Sequence, residues 1–336
     1  MYSSQEEKQR TQTFKRNDLL EEFLMDINND LWNTEKRLLT SKKAEYPLIF
    51  VMGAHRSGTT LLMQWLANLD TIAYPTNLMS RFYKAPIIGS KIQLLLTDER
   101  YNYRNEIRDF NCAINFNSEN GKTNGALSPN EFWYFWRRFL PFKELDYLPT
   151  DELFKKVDIE TLQSELAGIV NVFQKPFGLK GMILNYNIDF LDKVFDNAVF
   201  LYIKRDPLTN IESALKAREK QLGNIMEWYS FKIPEYDKLK KLNPYEQVAG
   251  QIYFINKAVA SGLENVAEHK KMIVNYEDFC ENPKKTYSEL VEKLRIQGYE
   301  MGLEYRGEQK FHVTRECPKD KNILDAYNKF YKGVKP

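Results

Sequence analysis

The stretch that most constrains this chain runs from Pro47 to Leu66: Leu48-Ile-Phe-Val-Met52, then Gly53-Ala-His-Arg-Ser-Gly58, then Thr59-Thr-Leu-Leu-Met-Gln-Trp-Leu66. A short, partly β-branched apolar run predicts a buried strand, and Thr59 to Leu69 carries apolar residues at helical spacing. Two glycines bracket the tight loop between them. Strand, glycine loop and helix together make a phosphate cradle, because the backbone can approach an anion and successive N–H groups point at it. A nucleoside triphosphate loop would read G-x-x-x-x-G-K-[ST]. Here Thr59 stands in place of the lysine, and the cation is Arg56, inside the loop. The strand best placed to supply a magnesium-holding carboxylate, Ala198 to Ile203, runs instead into Lys204-Arg205, which suits a phosphate.

The rest of the chain predicts an α/β fold. Strands are expected at 48–52, 178–183, 198–203 and 272–275, each followed by helical sequence. That alternation implies a central parallel sheet flanked by helices, with ligand at the strand C-terminal ends. Residues 1–46 form an N-terminal helical arm. In its helix, expected over 18–39, Leu20, Phe23, Leu24, Ile27 and Leu31 share one face. Packing on the main domain is the first reading of that face, and a membrane-surface or partner helix the second. Residues 47–299 form the α/β domain. Within it, 71–150 is rich in aromatics, Asn and Pro and reads as an aromatic-rich insertion over the active-site face. Residues 300–336 form a C-terminal extension closing on the domain.

Composition narrows the class. Lys+Arg and Asp+Glu number 48 and 46, so no excess of positive charge marks the chain as a nucleic-acid binder. Three cysteines, Cys112, Cys280 and Cys317, with no CxxC spacing, suggest reduced thiols in a cytoplasmic setting; with only three histidines, no metal site is expected. No apolar run is long enough to span a membrane, and the polar N-terminus does not read as a signal peptide, so no transmembrane anchor is expected.

Gly53-x-x-Arg-Ser-Gly-Thr-Thr60 resembles the 5′-phosphosulfate loop of sulfotransferases that use 3′-phosphoadenosine-5′-phosphosulfate (PAPS). Tyr202-Ile-Lys-Arg-Asp-Pro-Leu-Thr-Asn-Ile-Glu-Ser213 is similar to the family's 3′-phosphate segment, in which a strand-end arginine and a serine eight residues later grip one phosphate. Met272 to Pro283 resembles the strand, acidic turn and helix that follow. The likeness covers Pro47 to Leu294 and implies a P-loop NTPase-like sulfotransferase architecture, with PAPS as donor, PAP as product and no metal required. It assigns Gly53, His55, Arg56, Ser57, Gly58, Thr59 and Thr60 to the 5′ cradle, and Arg205 and Ser213 to the 3′-phosphate. It also places Arg56 and Lys180 near the transferring group, although an edge position or a solvated strand end would equally accommodate Lys180.

The base does not carry over from the resemblance, because Met182 stands where the small-molecule branch has histidine. Glu131, in Ser128-Pro-Asn-Glu-Phe-Trp-Tyr-Phe-Trp136, is the first candidate, since adjacent aromatics raise a carboxylate's pKa toward useful basicity. Ser128 to Glu131 also reads as a helix capping box. His55 reads as a loop-shaping or sulfonate contact, His312 as a residue able to reach the site, and His269 as surface. The aromatic run 132–142 reads chiefly as core and secondarily as an acceptor wall, with Arg137 and Arg138 available to an acidic acceptor. Tyr74 to Gly89 could help to frame that acceptor. The acceptor expected is a hydroxyl on a carbohydrate or glycoconjugate, as in a bacterial surface polysaccharide, with a sterol, lipid or small phenol as the alternative. A P-loop kinase using Mg-ATP, or a non-catalytic nucleotide binder, are the readings from other classes. The sequence says nothing of oligomeric state.

Overall fold

The computed structural model describes residues 10–11, 15–101, 104, 106–107, 110, 114, 116–119, 121–141, 147–313 and 318–333. Cys112, Cys317, Phe142 and most of the polar N-terminal tract lie outside them. In chain order the strands are β1 (Leu48–Met52), β2 (Ser118–Glu119), β3 (Lys122–Thr123), β4 (Phe177–Lys180), β5 (Ala198–Lys204) and β6 (Lys271–Asn275). Among the described residues, β4-β1-β5-β6 form one parallel sheet and β2-β3 a separate antiparallel hairpin. β1 is therefore central, and the chain leaves it between strands that enter the sheet on opposite sides. That is where an open parallel sheet makes a crevice at its C-terminal edge.

β1 is buried along its whole length. Leu48, Phe50 and Met52 face one layer, and Ile49 and Val51 the other. Helices cover both faces, which is why the strand reads as continuously apolar rather than alternating. Phe50 stacks on Phe200 with ring centroids 5.7 Å apart, and Trp136 lies 6.4 Å from Phe50. Burying a side chain of that size contributes about 1.5–3 kcal/mol. The aromatic run thus supplies core, as its first reading held: Phe132, Phe135, Trp136, Phe139 and Leu140 are all buried. Ile323, Ala326 and Phe330, from the last helical segment, join the same cluster.

Three expectations need correction. The strand expected over 178–183 ends at Lys180, because the chain turns at Gly181 into a short 3-10 turn, Met182–Leu184. The first helix is Asp18–Lys36 rather than 18–39, and Phe23 is 64% exposed. Its fully buried positions are Leu24, Asn28 and Glu35, two of them polar. They are buried because they satisfy backbone: Asn28 donates to Arg81 O (2.7 Å) and accepts from Lys84 N (2.7 Å). Glu35 accepts from Ile87 N (2.7 Å) and Ile88 N (3.1 Å), capping the helix Pro86–Thr97, whose own N-cap, Ala85, offers no side chain for the purpose. Finally, the capping-box reading of Ser128 to Glu131 fails. The helix starts later, at Trp133, with Phe132 as N-cap, and Ser128 Oγ donates to Asn124 O (2.6 Å).

Removing a carboxylate that satisfies two otherwise orphaned N–H groups leaves both without a partner. Glu35→Ala should therefore cost roughly 2–3 kcal/mol of stability, read as a lowered midpoint in urea denaturation with an unchanged slope.

Candidate active site

The cradle is built from three segments that leave the C-terminal edges of β1, β5 and β4. At the first, Gly53 has φ 143, and a Cβ there would lie 2.6 Å from Ile203 O, so β5 passes too close for any side chain. Asn185 clamps this glycine, accepting from Gly53 N at 3.1 Å and donating to Gly53 O at 2.8 Å. Gly58, at φ 103, lies against the ring of Tyr276 and serves as N-cap of the helix Thr59–Ala67. No side chain caps that end, which leaves its first N–H groups directed at whatever anion occupies the loop.

The second segment follows β5. Arg205 Nη1 donates to Arg56 O at 3.2 Å, and its guanidinium lies 4.7 Å from the Tyr276 ring centroid. Asp206 caps the helix Pro207–Leu222 through Thr209 N, 2.9 Å away, and that helix carries Ser213 back toward the loop. Arg56 Nε donates to Ser213 Oγ at 3.4 Å. The residues expected at the 5′ and 3′ ends of the ligand are therefore adjacent, with Arg56 reaching between them. Asn210 on the same helix donates to His55 O at 3.0 Å.

The third segment is β4, an edge strand of the sheet, which ends on Lys180. That lysine is only 5% exposed, so its charge is neither solvated nor free. Its Nζ donates to Thr60 Oγ1 at 2.8 Å and to Glu131 Oε1 at 2.7 Å. Trp136 Nε1 donates to Lys180 O at 3.1 Å, docking the aromatic helix Trp133–Phe139 beside the strand end and bringing Glu131 alongside. Trp133 Nε1 donates to the other oxygen, Glu131 Oε2. Gly121, between β2 and β3, lies over the pair: a Cβ there would sit 3.5 Å from Thr60 Oγ1 and 3.6 Å from Glu131 Oε1.

The electrostatics differ from the sequence expectation in one respect. Burial does push Glu131 upward, as its aromatic neighbours suggest, but Lys180, the Trp133 N–H and Arg56 outweigh it and hold the carboxyl below the usual range. His55 is 5% exposed, and burial, together with Arg56 and Arg218, pushes its pKa down to about 3. It is therefore a neutral imidazole, set edge-on to Tyr229 with centroids 5.7 Å apart.

Two other histidines are exposed: His269 in the turn Glu268–Lys270, as expected, and His312 next to the buried Phe311. Arg138 is not available to an acidic acceptor, because it is paired with Glu165 and donates to Tyr83 O at 2.7 Å. Asn77 braces the insertion rather than lining it, through bonds to Thr123 and Gly125. Sequence reasoning missed Asn185 and the β2-β3 hairpin. Asn185 carries no local signal, since it acts 132 residues away. The hairpin does carry one: Asn120-Gly121 is the dipeptide of a two-residue hairpin turn.

The model of the sulfotransferase family matches residues 47–300. The fold is similar to that of sulfotransferase STF9 from Mycobacterium avium, at 16% identity and a TM-score of 0.50, covering 91% of this chain and 72% of that one. Sulfotransferase STF1 from Mycobacterium tuberculosis is also similar, at 12% identity and a TM-score of 0.50, covering 90% and 75%. At these identities the likeness speaks for the fold. No curated protein matches the sequence.

Gly58→Ala would place a methyl in the Tyr276 ring and force alanine into left-handed backbone. A loss of about 2–4 kcal/mol is expected from the two effects, measured by thermal unfolding; added phosphate is expected to raise the wild-type midpoint and to leave that of the variant unchanged.

Proposed function

The chain belongs to the sulfotransferase family, and we propose that it moves a sulfuryl group from PAPS to a hydroxyl of a carbohydrate or glycoconjugate. One observation carries the donor reading. His55 Nδ1 and Nε2, Ser57 Oγ, Arg205 Nε and Asn210 Oδ1 are all buried without a hydrogen-bond partner, and all belong to the loop or to the segment after β5. Buried polar groups left unpaired are costly, so a cluster of them around one cradle marks where a polar ligand completes the structure.

When bound, PAPS supplies an activated sulfuryl group on a phosphate leaving group. The N–H groups of Ser57 to Thr60 and the Arg56 guanidinium are assigned to its 5′ end, and Arg205 and Ser213 to its 3′-phosphate. Fixed donors of this kind, in a site closed to water, are worth more than the same contacts in solvent. Lys180, held on Thr60 at the mouth of the loop, supplies positive charge where the leaving side develops negative charge. Glu131 takes the acceptor proton at its carboxylate. Paired with Lys180 it is a weak base; once the ammonium turns to an anion in the cradle, burial dominates and its proton affinity rises.

For the acceptor, the β2-β3 hairpin lies over Glu131 and Thr60 at Gly121, and its backbone groups, with those two polar side chains beneath, suit a polyhydroxylated molecule. A sterol, lipid or phenol is the second reading. It is supported by the apolar side chains of Met182, Ile183, Phe231 and Ile255, which line a small crevice beside the turn after Lys180 together with Asn185, Asn187 and Lys232. Sulfation screens with glycans and with phenols separate the two.

Thermal unfolding tests the donor first. PAP at ~100 times its dissociation constant should add about 2.7 kcal/mol to the folded state, and Mg-ATP little. Arg205→Ala should remove most of the PAP effect, and His269→Ala none. A shift with Mg-ATP alone would overturn the reading in favour of a kinase.

Glu131→Gln should keep the PAP shift and lose transfer by about 10²–10⁴. The pH dependence follows from the direction of the shift. A carboxyl held down loses its charge only as pH falls through that lowered value, so the acid limb of kcat/KM for PAPS, which reports the enzyme before the cradle is filled, should lie below the ordinary 4.5. His55, at about 3, contributes no step between pH 5 and 8. An acid limb near 6.5 would point instead to a histidine base.

A further inference from the structure

We infer that Trp133 is a positioning residue for Glu131, its indole N–H fixing one carboxylate oxygen while Lys180 holds the other. The inference rests on the reading of Glu131 as the base. Trp133 Nε1 donates to Oε2, and Lys180 Nζ donates to Oε1 at 2.7 Å. The chain is bent to make this possible. Between the two residues, Phe132 sits at φ 58, ψ 33, in the left-handed region. That conformation costs a non-glycine residue roughly 1–3 kcal/mol and persists only where its surroundings impose it. Here they do: the Phe132 ring is fully buried and stacks on Phe135 at 4.5 Å, and Asn130 Oδ1 accepts from Phe132 N at 2.8 Å. The indole itself rests on Phe231, with centroids 5.7 Å apart.

The two holders have different duties. Lys180 also donates to Thr60 on the helix that follows the phosphate loop, so an anion in the cradle competes with Glu131 for its ammonium. Trp133 has one donor, already given to Glu131. It keeps the carboxylate aimed when Lys180 turns away, which is when an acceptor proton has to be taken.

The first test reads the contact without any acceptor. The chain has five tryptophans, so a ¹H–¹⁵N spectrum shows five indole N–H signals, and the one lost in Trp133→Phe is that of Trp133. In the wild type it should lie downfield of its ordinary position and move upfield in Glu131→Gln. An ordinary position, unmoved in Glu131→Gln, would overturn the inference; if Trp133→Phe proves unstable, the absence of any indole signal that moves upfield in Glu131→Gln overturns it without the assignment.

The second test is kinetic. Trp133→Phe keeps a ring against Phe231 and removes the N–H. With PAP affinity unchanged, kcat should fall about 10–100-fold, the range expected for losing a hydrogen bond to a charged group. The other charged or titratable groups facing Glu131 are Lys180, Arg56 and Tyr229, and all three remain in the variant. Removing the N–H takes away one stabiliser of the carboxylate, so the acid limb should move to higher pH. If Glu131→Gln is inactive while Trp133→Phe keeps the wild-type kcat and acid limb, the positioning role alone is overturned. If Glu131→Gln transfers at the wild-type rate, the reading of Glu131 fails, and the positioning role with it.

Discussion

A buried ammonium organises this molecule. Lys180 closes an edge strand of the sheet at 5% exposure, where an unpaired charge would cost several kcal/mol. Its cost is offset by Thr60 and Glu131, one from the helix after the phosphate loop and one from the insertion. A single side chain thereby ties the sheet, the glycine loop's helix and the insertion together. The Trp136 bond to Lys180 O adds a backbone tie at the same point, so the aromatic helix cannot shift without disturbing the strand end. Such a charge stays buried only while both partners keep their geometry, which makes the mouth of the site one of the most constrained parts of the fold.

The geometry of the glycine loop and of the segment after β5 was legible in the sequence because its requirements are local. Gly53 and Gly58 stand where the backbone takes positive φ and neighbouring atoms leave no room for a side chain, and that demand writes itself into consecutive positions. Arg205 and Ser213 are joined by one strand end and two turns of one helix, so their spacing could be counted. The surroundings of Glu131 were not legible in this way. Glu131 could be picked out as an acid among aromatics, but the sign of its shift depends on Lys180, which lies 49 residues away. Asn185 has the same difficulty. The buried polar residues of the first helix, Asn28 and Glu35, show how far periodicity can mislead: their burial follows from backbone groups near residues 81–88, and no pattern within the helix announces it.

Charge in the cradle is arranged by exclusion as well as by attraction. His55 lies between Arg56 and Arg218 in electrostatic terms and is held neutral by burial and by both cations. The positive field of the loop therefore comes from guanidinium groups and backbone N–H donors. Asn210 and Asn185 hold the loop through its backbone at His55 and Gly53, using amides that carry no charge. The loop is thus shaped by neutral groups and charged by permanent ones, and its affinity for an anion follows the anion's protonation rather than its own.

The Tyr276 ring touches both halves of the cradle, lying under Gly58 on one side and against the Arg205 guanidinium on the other. One rigid plate thereby acts as a gauge block between two segments that are far apart in sequence. The gap it sets cannot stretch, because an aromatic ring has no softer length to offer. The spacing of the two segments is in this way held by one ring, and any drift at one of the three positions has to be answered at the other two.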